Sequence, residues 1–195
     1  MTFHPVHAVT LVCHPETPAA AVHGIGARVG RAPGGVLAVT YVIEGDMDRL
    51  RVPALNSGGI GSRLWEHTCC EIFIARKGLP EYHEFNFSPS GEWAVHAFRR
   101  YRERAPLAGE LDPQIAVRNG AGKLEVDVSI RLDRLSPAYL DATLALALSA
   151  VVENSDGTLS YWALRHPPGR PDFHHADAYV LEVAGTGPSP AQSSA

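Results

Sequence analysis

The chain has 195 residues, 45% hydrophobic and 19% charged, with a formal net charge of −4. That length suits one domain with a sizeable buried core, and the mildly acidic balance provides no clustered cationic surface for DNA or RNA. No apolar run approaches the roughly 18 residues needed to span a bilayer, and Cys13, Cys69 and Cys70 are too few, with two adjacent, to form a disulfide framework.

Strand signals run along almost the whole chain, and eighteen glycines and fifteen prolines favour turns over long helices. Residues His7 to Cys13 and Val22 to Val29 read as strands, followed by a turn at Arg31-Ala32-Pro33-Gly34-Gly35 and a strand from Val36 to Ile43. From Cys70 onward, Cys70, Ile72 and Ile74 alternate with Glu71 and Phe73, a period-2 pattern that places Glu71 in mid-strand beside Phe73. A hairpin follows, with Tyr82 to Phe87 and Glu92 to Phe98 joined by Ser88-Pro89-Ser90-Gly91. Arg99 to Arg104 reads as a solvated loop or short helix. Further strands are expected at Gln114 to Arg118, Lys123 to Arg131, Thr143 to Val152, Leu159 to Arg165 and Ala178 to Val183. Asp133 is a candidate N-cap for a short helix ending near Leu140. Short strands at regular spacing predict an antiparallel β-sandwich of jelly-roll type over residues 1–184, with a disordered tail at 185–195. The segment Met1 to His7 lacks the charged start and apolar stretch of a secretory signal, so a cytoplasmic location is expected.

Three segments concentrate unusual side chains. The first runs from Trp65 to Glu71, where a mid-strand carboxylate is costly to bury unless a partner or a ligand satisfies it. In the second, Glu84, Asn86 and Ser88 share one strand face; this is either a solvent face or the lining of a cleft. If that strand lies beside the one carrying Glu71, Glu71 and Asn86 converge. The third segment, Tyr161 to Asp177, holds Trp162, Arg165, His166, Asp172, His174 and His175 in a proline-rich loop. Prolines stiffen such a loop, and rigid polar loops on a sandwich scaffold commonly carry binding sites. The alternative is a packed loop in which Arg165 and Arg170 pair with Asp172 and Asp177.

His166, Asp172 and His174 are chemically suited to a metal, but their spacing matches no helical ligand pair. No G-x-S-x-G elbow and no phosphate-binding glycine loop is present. Glu71 and Glu84 could form a carboxylate pair, at a separation the sequence does not give.

Together the three segments resemble the DOMON-like superfamily, and within it the bacterial single-domain proteins related to family 9 carbohydrate-binding modules. That resemblance implies a β-sandwich binding sugars or haem. In the sugar-binding modules two tryptophans clamp a sugar while charged and amide groups bond its hydroxyls. It assigns Trp65 and Glu71 to the site by their spacing, Trp162 to the second aromatic wall, and Asn86 or Arg165 to the polar partner; the expected binding site adds Glu84 and His166 to these. Haem would need axial ligands, for which Met1 and Met47 are the available methionines, and calcium would need Asp46 with Asp48, or Asp156. The expectation is a non-catalytic domain for a small polyhydroxylated ligand. Its rivals are a metal-assisted hydrolase using residues 166–177 and an interaction module in which Trp65 and Trp162 are core residues.

Overall fold

In the computed structural model, residues 6–185 are described. The chain forms β1 (His7–Cys13), β2 (Val22–Ala32), β3 (Val36–Gly45), β4 (Gly59–Ile60), β5 (Cys69–Arg76), β6 (Tyr82–Phe87) and β7 (Glu92–Arg100). It continues with β8 (Glu103–Ala105), β9 (Gln114–Gly120), β10 (Lys123–Arg131), α1 (Leu132–Leu135), α2 (Ala138–Asp141), β11 (Leu144–Glu153), β12 (Leu159–Ala163) and β13 (Leu181–Val183).

Apart from the short parallel pair β4–β7, every pairing is antiparallel. One sheet has the order β1-β2-β3-β10-β9, and the other runs β12-β11-β5-β6-β7-β4. β1 joins them: His7 to Leu11 pair with β2, whereas Val12 and Cys13 pair with β12. The result is the expected β-sandwich.

The core follows from strand periodicity. Ile25, Val29, Leu37, Val39, Ile43, Val126 and Ile130 face inward from the first sheet, and Ile72, Ile74, Phe85, Phe87, Leu146 and Leu148 from the second. Tyr41, with no exposed surface, crosses this core and donates its hydroxyl to the backbone carbonyl of Glu71 at 2.7 Å. A buried phenol needs such a partner.

The second sheet is also covered on its outer face. Phe73, Ala75, Tyr82, Phe98 and Ala147 form a separate apolar cluster there, closed by Ala178 with Phe173 and Tyr179 from the segment after β12. Because both faces of β5 are covered, all its residues from Cys69 to Ala75 are buried.

Several local expectations are corrected. Trp65 lies in a single 3₁₀ turn, Leu64–Glu66, ahead of the strand. Arg99 to Arg104 is not helical: Arg99 and Arg100 end β7, Tyr101-Arg102 make a turn with Arg102 at φ 55°, and Glu103 begins β8. The segment at 132–141 is two short helices, and Asp133 sits inside the first, paired with Arg131, where it caps nothing. Residues 176–178 form a 3₁₀ turn and the last strand begins at Leu181. The expected tail from residue 186 onward lies outside the described residues. No described helix is long and apolar enough to cross a membrane.

The Tyr41 bond yields a test. Tyr41→Phe keeps the ring and should destabilise the fold by about 1–3 kcal/mol, since it strips a buried hydrogen bond. Urea unfolding monitored by circular dichroism measures this directly.

Candidate functional site

The outer face of the second sheet carries a cavity of about 360 Å³, spanned by side chains from β5, β6, β7, β11 and β12. Its floor comes from strand alternation. Glu71 and Phe73 point outward from β5, Glu84 from β6 and Val151 from β11, while their immediate neighbours fill the core. Glu71 stands opposite Asn86 in register, and Phe73 opposite Glu84, so the two glutamates are diagonal neighbours on one face.

Aromatic rings form the walls. Trp65 is half-buried, 6.0 Å from the His96 ring and edge-on to it. Tyr161 on β12 and Phe173 on the following loop stand 6.1 Å apart. The chain next to Trp65 is anchored by a buried carboxylate. Glu153, at the end of β11, receives Arg51 Nη1 at 2.5 Å and His67 Nδ1 at 2.7 Å, while the Thr68 hydroxyl donates to the Arg51 carbonyl. These contacts fix the connection into β5 on which Trp65 sits.

The loop side is tied down by a chain of polar contacts. Arg102 donates to Asp172 Oδ1 at 2.8 Å, and Tyr101 donates its hydroxyl to Asp172 Oδ2 at 2.7 Å. The Tyr82 hydroxyl accepts the Arg102 backbone N–H and lies 2.8 Å from His174 Nδ1. His174 Nε2 faces Glu84 Oε2 at 3.7 Å. Burial, and then the nearby Arg102, push the His174 pKa down to about 4.

The two floor carboxyls are not equivalent. Glu84 accepts from Asn86 Nδ2 at 2.8 Å; burial raises its pKa, and that amide, with Arg104 and Arg102, moderates the rise. Glu71 is only 3% exposed and has no ion pair among the described residues. Its pKa is held well above the ordinary carboxylate value by burial first and by Glu84 second. Ser149, opposite it on β11, lies near enough to favour the charged form, yet its hydroxyl closes no hydrogen bond of ordinary geometry.

Of the residues singled out in the sequence, Trp65, Glu71, Glu84 and His174 meet in this cavity. Asn86 lies beneath it, fully buried and committed to Glu84. Trp162 does not reach it: the indole faces the core and donates Nε1–H to Ser160 Oγ at 3.1 Å, so the wall on β12 is its neighbour Tyr161. Arg165 is exposed outside the cavity lining. His166 packs on β1, with Nε2 at 2.9 Å from the Val12 carbonyl and its ring edge-on to His14. His166, Asp172 and His174 thus answer to separate partners, and among the described residues no three His, Cys, Asp or Glu side chains are grouped to hold a metal ion. Met47 packs against the core, and Asp156 accepts hydrogen bonds from Thr158 within its turn.

Sequence reasoning missed Phe98, Arg102, Arg104, Tyr161 and Phe173. Phe98 was legible as a partner of Ala94 and His96 on one strand face. The arginines were hidden by reading their segment as a solvated loop or short helix, and nothing local marks Phe173.

The raised Glu71 pKa has a definite sign in stability. Above pH ~4.3 the unfolded chain releases this proton while the folded chain retains it, so stability falls as pH rises until the folded group ionises too. Glu71→Gln removes that loss. Its melting temperature should match wild type near pH 4 and exceed it increasingly toward pH 7; differential scanning calorimetry across that range checks this, and a constant difference would contradict it.

No family model matches the sequence, and no curated protein matches it. Among solved structures, a candidate carbohydrate-binding protein from Bacteroides uniformis aligns at TM-score 0.63 and 17% identity, covering 90% of this chain and 84% of that one. A family 9 carbohydrate-binding module from Caldicellulosiruptor kristjanssonii in complex with glucose aligns at 0.56 and 11% identity, over 86% and 78% of the two chains. Such a module from the same organism, in complex with cellotriose, aligns at 0.57 and 11%, over 95% and 85%. At these identities the likeness is one of fold.

Proposed function

We propose that this protein is a non-catalytic binding domain for a small carbohydrate or related polyhydroxylated ligand, seated in the cavity on the outer face of the second sheet. The observation that carries the reading is the joint placement of Trp65, Tyr161 and Phe173 around Glu71 and Glu84. Sugar C–H faces stack on aromatic rings, while carboxyl groups accept from hydroxyls in fixed directions. Arg102 and Arg104 at the same cavity supply donors for ring and hydroxyl oxygens.

The fold supports this reading from a second side, since modules of like architecture have been seen with glucose and with cellotriose. Placement within the DOMON-like superfamily belongs to the same proposal. So does a division of labour in which Trp65 is the stacking platform, Tyr161 takes the part the sequence suggested for Trp162, and the floor glutamates select hydroxyl geometry. A cavity of about 360 Å³ matches the lower end of small-ligand sites.

Trp93 and Trp162 are buried in the core, so a ligand-dependent change in tryptophan emission should come from Trp65. Titration with a panel of mono- and disaccharides is expected to give a saturable response in wild type. Trp65→Ala and Phe173→Ala should each weaken binding at least tenfold by calorimetry, with thermal melts establishing that each variant is folded at the titration temperature. Saturable binding that both variants leave intact would place the ligand elsewhere, and no binding across the panel would refute the carbohydrate reading.

A further inference from the structure

Resting on the binding-domain reading, we infer that the ligand of this cavity is cationic: a polyhydroxylated ring bearing a primary ammonium group, as in a hexosamine, with its nitrogen against Glu71.

The inference begins from the distribution of charge in the cavity. Glu71 and Glu84 supply two carboxyls to the floor, and Arg102 and Arg104 two cations to the lining. Arg102 is engaged by Asp172, its Nη2 lying 2.8 Å from Oδ1. Arg104 sits over the Phe98 ring, 5.9 Å from its centroid, with Nη1 3.2 Å from His96 Nδ1. Both arginines act on Glu84, which also has the Asn86 amide. Among the described residues neither arginine makes an ion pair or hydrogen bond with Glu71: Arg102 is held by Asp172 and Arg104 by His96. The most buried acid of the cavity is therefore the one to which the protein brings no cation.

Neutral hydroxyls can hydrogen-bond this carboxyl but leave it protonated, because nothing would compensate its ionised form in a setting that water scarcely reaches. An ammonium group supplies both the donors and the charge, and charge-assisted hydrogen bonds are roughly twice as strong as neutral ones. The surroundings favour a cation in a second way. Phe73, Tyr161, Phe173 and Trp65 line the same hollow, and the faces of aromatic rings attract positive charge. One cation also relieves the repulsion between the two carboxyls. An anionic or N-acylated ring offers none of this.

The test compares glucosamine, N-acetylglucosamine and glucose by isothermal titration calorimetry at pH 6.5. Glucosamine should bind at least tenfold more tightly than either neutral sugar. Glu71→Gln, of nearly equal shape, should collapse that ratio toward one, whereas Glu182→Gln, an exposed carboxylate on β13 outside the cavity, should leave it unchanged. Thermal melts establish that both variants fold. Glucose bound as tightly as glucosamine, or a ratio that survives in Glu71→Gln, overturns the ammonium assignment and leaves the carbohydrate reading standing. If none of the three sugars binds, both fall.

Discussion

The molecule depends on β5 having no free face. Its even-numbered residues Cys70, Ile72 and Ile74 pack into the core, and its odd-numbered residues Cys69, Glu71 and Phe73 are buried under an outer layer. A strand buried on both sides would normally be apolar throughout. Here one carboxyl interrupts it, and the Tyr41 hydroxyl from the opposite sheet holds the backbone at that same residue. The core thereby sets the position of the least compensated group in the site.

The outer layer is attached by different means. The segment after β12 has almost no regular structure, and it is held by Phe173, Ala178 and Tyr179 against the apolar cluster and by the Arg102–Asp172 and Tyr82–His174 contacts. Exposed ion pairs contribute little to stability, typically under ~1 kcal/mol. The partly buried rings do most of the holding and the charges set orientation. The cavity is thus rigid where it meets the sheet and held chiefly by side chains where it meets the loop.

Much of this was legible in the sequence because strands have a period of two. That rule gave Glu71 and Phe73 a common face, and Glu84 and Asn86 another, and the short β5–β6 connection made them neighbours. It failed at Trp162 because adjacent residues on a strand point opposite ways, and either of Tyr161 and Trp162 can be the inward one when both are aromatic. The Ser160 hydroxyl, which takes the Trp162 indole N–H inside the core, has no local signature that decides the matter. Trp65 was assigned to the site by its spacing from Glu71, but the single 3₁₀ turn that holds it leaves no periodic trace. Arg102 and Arg104 were lost because four arginines broken by one tyrosine and one glutamate suit a solvated loop or short helix as well as a tight turn between strands. Phe173 reaches the site through long-range packing alone.

β1 gives its first part to one sheet and its last two residues to the other. The two layers are therefore a single folded ribbon, and they cannot slide past each other without tearing that shared strand. The stretch beyond Ala163 that walls the cavity is attached differently, by side chains and by the short pairing of β13 with β11, so the shared strand secures the two layers and leaves the wall to be secured separately.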